Sequence, residues 1–415
     1  MIASPLMTTN PIAWHDRLFW FALAGYTFTL PISHTIAVRY GAFALLIVAT
    51  VSLCLRDRQL PALPLKGAWA VYAGIALISC INAVSPMQSL TEVRVEILNC
   101  LLVFSVSVTW ARQRDLLEPF ACVATASNLI LVAIGLGVAG FGKSLPELMQ
   151  LPDLVRAGLN ANYLLTMAAL VCYLGWTQLL KGRHALSAGI FLLLIADVLS
   201  MFVSLNRQAL VALATGLLCA AGLLLQHRFT WKRFAVAVAV VLILTGLVFV
   251  QILHRAENVE NIDSIAQTTV SRDVRWKLWK FSIEKIVEHP LTGGGFGRAV
   301  FDKLYPDFMP DDPMLWHAHN MVLNKGIQMG FPGIAAFLLL WIALLRAFAA
   351  HLGDPANRSA IAIVGITTLA TVFMKNMTDD FFVRDMALWF WLLTGILLGS
   401  LQRLAVREDH SVKAQ

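Results

Sequence analysis

The feature that most constrains the fold of this chain is a series of apolar runs, each roughly 17 to 25 residues long. A run of that length crosses a hydrocarbon layer of roughly 30 Å as a helix. Because the layer offers no water to the backbone, helices are expected. A barrel would need short segments of alternating polarity, and these runs do not alternate. The sequence therefore predicts an all-α polytopic membrane protein, with residues 1–415 forming a single membrane domain.

The composition agrees with this prediction. Of the 415 residues, 58% are hydrophobic and only 14% are charged, whereas a soluble domain carries nearer ~25% charged residues. From the apolar runs we predict about twelve transmembrane helices, near residues 16–31, 36–55, 67–84, 97–110, 116–140, 158–180, 185–204, 208–225, 234–253, 321–350, 359–377 and 385–402.

Lys and Arg residues are unevenly divided between the two sides of the predicted bundle. When successive short connections are assigned to opposite sides of the membrane, those on one side hold 16 Lys and Arg residues and those on the other side hold 7. Because positively charged short loops stay in the cytoplasm, we expect both termini to be cytoplasmic. The net charge of +7 then reflects topology, and no basic tail or basic stretch interleaved with aromatic residues indicates nucleic-acid binding.

One connection is much longer than the others and covers residues 254–320. The charge count places it on the extracytoplasmic side, and its eight Lys and Arg residues are no objection, because long loops are exempt from the charge rule. Within it, residues 273–289 have helical periodicity, and Pro290 would end that helix. Trp276 and Trp279 indicate a position in the lipid headgroup region, with packing against other loop residues as the alternative.

The end of this loop carries the most informative side chains, in the segment from Trp316 to Asn320. His317 and His319 are candidates for catalysis, because histidine is the side chain most readily deprotonated near neutral pH and therefore suits a general base. Solvated histidines near a helix start are the ordinary alternative. Asn320 is a candidate N-cap for the following helix.

Several arginines are candidates for binding an anion. Arg207 ends the short turn that begins at Ser204, on the side of the membrane where positive charge is disfavoured, and this makes a specific anionic partner as good an explanation as simple snorkelling. Arg272 and Arg275 lie three residues apart at the start of the loop helix and would share a face. Surface salt bridges remain the alternative for that pair.

Two further turns contain polar or flexible residues. The Gly-rich segment from Pro290 to Arg298 follows a helix and lacks the P-loop pattern, so a flexible turn is favoured over a phosphate-binding backbone nest. Asp379 and Asp380 lie in the last extracytoplasmic turn, where a solvated hairpin is the simplest interpretation.

The chain offers little that would hold a metal ion. All six cysteines fall in apolar spans without CxxC spacing, so neither disulfides nor a zinc site are expected. Asp307, Asp311 and Asp312 could bind a divalent cation, but the prolines among them favour a rigid turn. We therefore expect no metal ion and no other cofactor.

Taken in order, these motifs resemble the O-antigen ligase and polymerase superfamily of bacterial envelopes, over residues 156–390. The departures are small: an Asn precedes Arg207, and three glycines replace the usual spaced pair. The segments that carry the resemblance are Arg156–Asn162, Ser204–Arg207, Arg275–Trp279, Pro290–Gly297, His319–Leu323, Gly330–Gly333 and Asp379–Phe382.

The resemblance implies an inverting, metal-independent glycosyltransferase in the bacterial inner membrane. An O-antigen ligase of this kind moves a glycan from undecaprenyl diphosphate to the lipid A-core oligosaccharide on the periplasmic side. A polymerase of the same superfamily uses a lipid-linked glycan as the acceptor instead. The chain length and the single moderate loop favour the ligase. A transporter remains a second alternative, although Asp197 is the main acidic residue near mid-span.

The chemistry implied by the resemblance assigns roles to the candidate residues. His319 would be the catalytic base, because it directly precedes the Asn of the family-like motif. The arginines would bind the donor diphosphate, since a guanidinium can hold phosphate oxygens bidentately. The full set of expected substrate-binding residues is Arg207 and Arg275, then Arg272, Arg298 and Arg156 as weaker candidates, together with His317, Asn320, Asp379 and Asp380.

Overall fold

The computed structural model describes residues 14–32, 35–140, 157–203, 206–227, 274–298, 300–308, 317–382 and 384–413, with single positions between 239 and 250. Over these ranges every regular element is a helix, which confirms the all-α prediction. The helices are α1 (Trp14–Thr29), α2 (Ile36–Asp57), α3 (Lys66–Ser79), α4 (Pro86–Gln113), α5 (Leu117–Gly140), α6 (Ala157–Leu180), α7 (His184–Val203), α8 (Arg207–His227), α9 (Val274–Glu288), α10 (Val300–Leu304), α11 (Met321–Ala349), α12 (Ala356–Asn376) and α13 (Arg384–Lys413).

Within the described ranges, nine helices are long and apolar enough to cross a membrane: α2, α4 to α8 and α11 to α13. Helices α1 and α3 coincide with predicted spans but have only 16 and 14 residues. The predicted span near residues 234–253 lies outside the described residues apart from single positions. The chain is a polytopic membrane protein.

Helix α4 is longer than the predicted span near residues 97–110, since it begins at Pro86. Its middle segment, Val93–Leu98, is π-helical. This segment contains Glu96, whose charge makes the apolar run look shorter than the helix. Glu96 is nevertheless buried, and its carboxylate has a partner there, since Nζ of Lys325 on α11 lies 3.2 Å away. A charge inside a helical bundle is tolerated when a partner of opposite sign lies beside it.

The centre of the bundle is packed through small residues and aromatic rings. Gly395 and Gly399 of α13 face Ser107 and Ala111 of α4 so closely that an added Cβ would lie 2.7 Å from each Cβ. Close backbone approach through small residues is how membrane helices pack tightly. The ring centroid of Trp391 on α13 lies 5.2 Å from that of Phe104 on α4.

Helix α11 is kinked, and its kink explains the Gly-rich turn. Pro332 has no N–H for the carbonyl of Gln328, and Gly330 adopts φ 66°. The freed carbonyl of Gln328 accepts instead from Gly295 N at 3.0 Å, and that of Ile327 accepts from Gly294 N at 2.9 Å. The turn is therefore bonded to α11, and these two N–H groups are not available to a phosphate.

The same turn places the loop helix and the residue that follows it. Gly293 has φ 59°, and an added Cβ there would lie 2.4 Å from the backbone of Gln328, so only glycine fits. The predicted loop helix is confirmed as α9 (Val274–Glu288), which packs on the start of α11 through Leu278, Ile286 and Ile327. Arg298 directly follows the turn.

Candidate active site

Two polar segments meet at one end of the bundle: the segment before α11 and the segment between α12 and α13. The side-chain amide of Asn320 donates to the carbonyl of Met377 at 2.8 Å. The amide of Asn324, one turn into α11, donates to the carboxylate of Asp380. Because these bonds join residues more than fifty positions apart in the chain, the arrangement exists only when both helices are packed.

The two asparagines also set the backbone around the histidines. The side-chain oxygen of Asn320 accepts from Val322 N at 2.9 Å and from Leu323 N at 3.0 Å, which confirms the predicted N-cap. The side-chain oxygen of Asn324 accepts from Ala318 N at 2.8 Å. The residues on either side of the second histidine, Ala318 and Asn320, are therefore tied to α11.

His319 forms a pair with Asp379. Its Nδ1 atom lies 3.2 Å from Oδ1 of the Asp379 carboxylate. A carboxylate can only accept, so this bond requires hydrogen on Nδ1, and in the neutral ring the lone pair is then on Nε2. His319 also has φ 46°, a left-handed conformation that few residues other than glycine adopt. Such conformations cluster at functional sites, where neighbouring contacts compensate for their strain.

Lys375 lies behind this pair. Its Nζ atom is 3.4 Å from Oδ2 of Asp379 and 3.3 Å from Oε1 of Gln208, and the residue is only 2% exposed. Burial by itself would raise the pKa of the Asp379 carboxyl. The hydrogen bond from His319 and the charge of Lys375 outweigh burial and hold that pKa below its ordinary value. Asp379 is therefore ionised and can orient the imidazole.

His317 has a different environment from His319, although the two ring centroids are only 3.9 Å apart. Its Nδ1 atom accepts from the main-chain N–H of His319 at 3.0 Å, and its Nε2 atom contacts the guanidinium of Arg298. Burial and then the charge of Arg298 lower the pKa of His317 to about 2. His317 is therefore neutral at working pH, so only one of its two ring nitrogens can accept a hydrogen bond at a time.

Of the predicted anion-binding arginines, the structure brings Arg298 directly to this end of the bundle. Burial lowers the pKa of its guanidinium, while Asp380 and Asp379 oppose that effect. Arg275, on the first turn of α9, adds its positive charge to those that lower the pKa of His317. The structure therefore groups these two arginines with the histidines.

Arg207 is connected to the site through the residue that follows it. It begins α8, and its neighbour Gln208 accepts the hydrogen bond from Lys375 described above. The first turn of α8, which bears Arg207, is thus connected to Asp379 through one lysine. Arg272 and Arg156 lie outside the described residues.

Three of these side chains could be considered as metal ligands. One ligand atom from each of His317, His319 and Asp379 lies within 4.8 Å of the other two. However, the Nε2 atom of His317 already contacts the guanidinium of Arg298. That positive charge would repel a divalent cation, so we keep the prediction of a metal-independent site. Asp311 and Asp312 lie outside the described residues.

Sequence reasoning missed two buried lysines that support the site. Lys375 and Lys325 are 2% and 3% exposed, although each occurs within a span that was read as apolar. Lys325 pairs with Glu96 and lies over the ring of Phe296, with Nζ 4.6 Å from the centroid. A charged residue inside a predicted span is a signal for function or a buried partner, and applying it would have singled out both.

Comparison with known proteins gives a consistent result. Residues 189–338 match the family described as O-antigen ligase. This range begins within α7, ends within α11 and includes Arg207, Arg275, His317 and His319.

Curated relatives match over most of the chain. A protein of Rickettsia conorii named "Putative polysaccharide ligase" is 23% identical over 359 residues, which cover 83% of this chain and 80% of the relative. A protein of the same name from Rickettsia bellii is 25% identical over 356 residues, which cover 82% and 80%.

Proposed function

Because this chain belongs to the O-antigen ligase superfamily, we propose that it is an O-antigen ligase. In this proposal it moves a glycan from undecaprenyl diphosphate to the lipid A-core oligosaccharide during lipopolysaccharide synthesis. The name of the curated relatives, polysaccharide ligase, supports the transfer of a polysaccharide.

The observation that carries the proposal is the pair formed by His319 and Asp379, joined at 3.2 Å. A sugar hydroxyl is a weak nucleophile, and a base must take its proton as it attacks. A base positioned in this way typically contributes ~10²–10⁴-fold to the rate. Asp379 orients the ring and stabilises the imidazolium that forms, so His319 can serve as the base through Nε2.

The reaction is a single displacement. The oxygen of the acceptor hydroxyl attacks the anomeric carbon of the donor, and its proton passes to Nε2 of His319. The bond between that carbon and the diphosphate oxygen breaks, and its electron pair leaves with undecaprenyl diphosphate. Attack from the side opposite the leaving group inverts the configuration at the anomeric carbon.

The arginines would serve the leaving group. The diphosphate gains negative charge as the glycosidic bond breaks, and guanidinium groups at a membrane-edge site can stabilise that charge by several kcal/mol. Arg207 and Arg275 are the leading candidates, with Arg298, Arg272 and Arg156 as further ones. The positive charges of Arg298 and Arg275 near His317 support this assignment for two of them.

We place the site on the periplasmic side of the bacterial inner membrane, with both termini in the cytoplasm. The basis is the 16-to-7 distribution of Lys and Arg residues in the short connections. Leu291, which is 73% exposed in the turn after α9, offers a test. A cysteine there should react with a reagent that crosses only the outer membrane, and labelling that required inner-membrane permeabilisation would reverse the orientation.

The proposal is tested by reconstituting the protein with a polyprenyl-diphosphate-linked glycan and a lipid A-core acceptor. His319→Ala should bind the donor yet transfer sugar orders of magnitude more slowly. Arg207→Lys should lose much of the donor affinity, because an ammonium cannot reproduce the bidentate contact. Normal transfer by His319→Ala would reject the base, and extension of the lipid-linked glycan without an added core acceptor would favour the polymerase.

A further inference from the structure

A cavity of about 420 Å³ lies between the loop helix α9 and the first turn of α11. Pockets of roughly 300–1,000 Å³ are the usual size for small-molecule sites. The residues that line this cavity are mostly apolar, and two of them are the tryptophans Trp276 and Trp279. The cavity is therefore large enough for a sugar ring or a short length of lipid chain.

The wall of the cavity includes chain neighbours of both members of the His319–Asp379 pair. Asn320, which directly follows His319, lines it, and so does Met377, two residues before Asp379. The hydrogen bond between Asn320 and Met377 closes this wall of the cavity. A ligand in the cavity would thus lie beside the base.

This position fits the acceptor better than the donor diphosphate. In an in-line displacement the base contacts the attacking hydroxyl, and the leaving group lies on the opposite side of the anomeric carbon. The described residues that line the cavity include one lysine, Lys280, and no arginine. Arg207, Arg275 and Arg298 therefore lie outside the described cavity wall, as separate sites for acceptor and diphosphate require.

The chemistry of the wall favours a sugar over a lipid chain. The indole Nε1 atom of Trp279 is buried and has no hydrogen-bond partner among the described residues. Lys280 and Glu284 add a donor and an acceptor to the lining. A sugar offers an apolar ring face to an indole and a hydroxyl to its N–H, whereas a lipid chain would leave that buried N–H without a partner.

We propose that this cavity, lined by Trp276 and Trp279, is the binding site for an acceptor sugar, and that Trp279 donates its indole N–H to a hydroxyl of that sugar. The identity of the sugar as part of the lipid A-core oligosaccharide rests on the proposed function. Trp276, which is 64% exposed, provides a face on which the next sugar can stack.

The test is direct binding of a delipidated core oligosaccharide to the protein in nanodiscs, with the affinity measured by titration calorimetry. Trp279→Phe keeps an aromatic ring but removes the N–H, and should weaken binding roughly tenfold. Trp276→Ala should weaken binding by about 30-fold or more, as expected for an aromatic anchor. Val287→Ala is the matched control, because this exposed residue of α9 does not line the cavity.

Kinetics then separate this inference from the proposed function. With active protein, Trp279→Phe should raise the KM for the core acceptor and leave the KM for the lipid-linked donor unchanged. Oligosaccharide binding that is absent in the wild type, or equal in Trp279→Phe and Val287→Ala, would overturn the sugar site. A rise in donor KM alone would assign the cavity to the lipid chain instead. Tryptophan-dependent sugar binding without any glycan transfer would retain the site and reject the ligase.

Discussion

Nδ1 of His319 lies 3.2 Å from Oδ1 of Asp379, although sixty positions separate the two residues in the chain. The contact is made across two loops, one before α11 and one between α12 and α13. It orients one histidine of a closely spaced pair and leaves the other in contact with Arg298. The structure therefore separates two histidines that look equivalent in the sequence.

We predict that Asp379→Asn slows glycan transfer by about 10²–10⁴-fold while donor affinity stays unchanged. The asparagine amide can donate to Nδ1, which would move the hydrogen to Nε2 and remove the lone pair that takes the acceptor proton. Single-turnover transfer and donor binding are the measurements. Asp307→Asn, at an exposed loop position, is the control and should behave as wild type. Equal activity of the two variants would rule out the orienting role of Asp379.

We predict that His317→Gln retains the shape of the pH–rate profile. Because burial and Arg298 lower the pKa of His317 to about 2, its side chain is neutral throughout the range from about pH 5 to pH 9. A glutamine oxygen can still accept from the guanidinium of Arg298. A profile measured across that range should change in height only, and a displaced acidic limb would show that His317 titrates during catalysis.

We predict that Lys375→Met lowers the transfer rate about 10- to 100-fold by weakening the orientation of Asp379. Its Nζ atom contacts both Asp379 and Gln208, so the same change should also disturb the start of α8, which bears Arg207. The measurement is a double-mutant cycle with Asp379→Asn. If Lys375 acts through Asp379, the loss in the double variant will be smaller than the product of the single losses. Independent effects would contradict this role.

We predict that Glu96→Gln destabilises the protein by about 3–5 kcal/mol, because it leaves the buried Lys325 without its partner. Adding Lys325→Met should recover much of the loss. Thermal unfolding in detergent measures both changes. The control is Glu118→Gln, whose partner Lys181 is 44% exposed, and this change should cost less than about 1 kcal/mol. Similar losses for the two glutamine variants would contradict the role assigned to burial.

We predict that transfer continues in excess chelator. The donor set of His317, His319 and Asp379 lies beside the positive charge of Arg298, which would repel a divalent ion. Activity is measured after dialysis against chelator and again after divalent cations are added back. Loss on chelation with recovery on addition of metal would make these three side chains the first candidates for ligands.

Much of the fold could be predicted, because hydrophobic length and helical periodicity are local properties of the chain. Eleven of the twelve predicted spans overlap a described helix, and the twelfth, near residues 234–253, lies outside the described residues apart from single positions; the loop helix and the Asn320 cap were also found. Helix α4 was predicted too short because Glu96 interrupts its apolar run, and only a partner on another helix makes that charge tolerable. For the same reason, the buried lysines Lys325 and Lys375 were not recognised from the sequence as part of the site.

The Gly-rich turn shows why a motif does not define its own role. Its composition is compatible with flexibility or with anion binding, and the sequence favours the first. In the folded protein its N–H groups are bonded to carbonyls that the kink of α11 frees at Ile327 and Gln328. Those carbonyls lie more than thirty positions away, so no local pattern reports them.

The sequence by itself therefore determined the helical membrane architecture, the loop helix and the short list of candidate side chains, since each depends on neighbouring residues. Only the tertiary structure decided which contacts these side chains make. It paired His319 with Asp379, gave His317 to Arg298 and placed Lys375 behind the carboxylate. The physical reason is that the direction of a hydrogen bond and the burial of a charge are set by helices that are distant in the chain and adjacent in space.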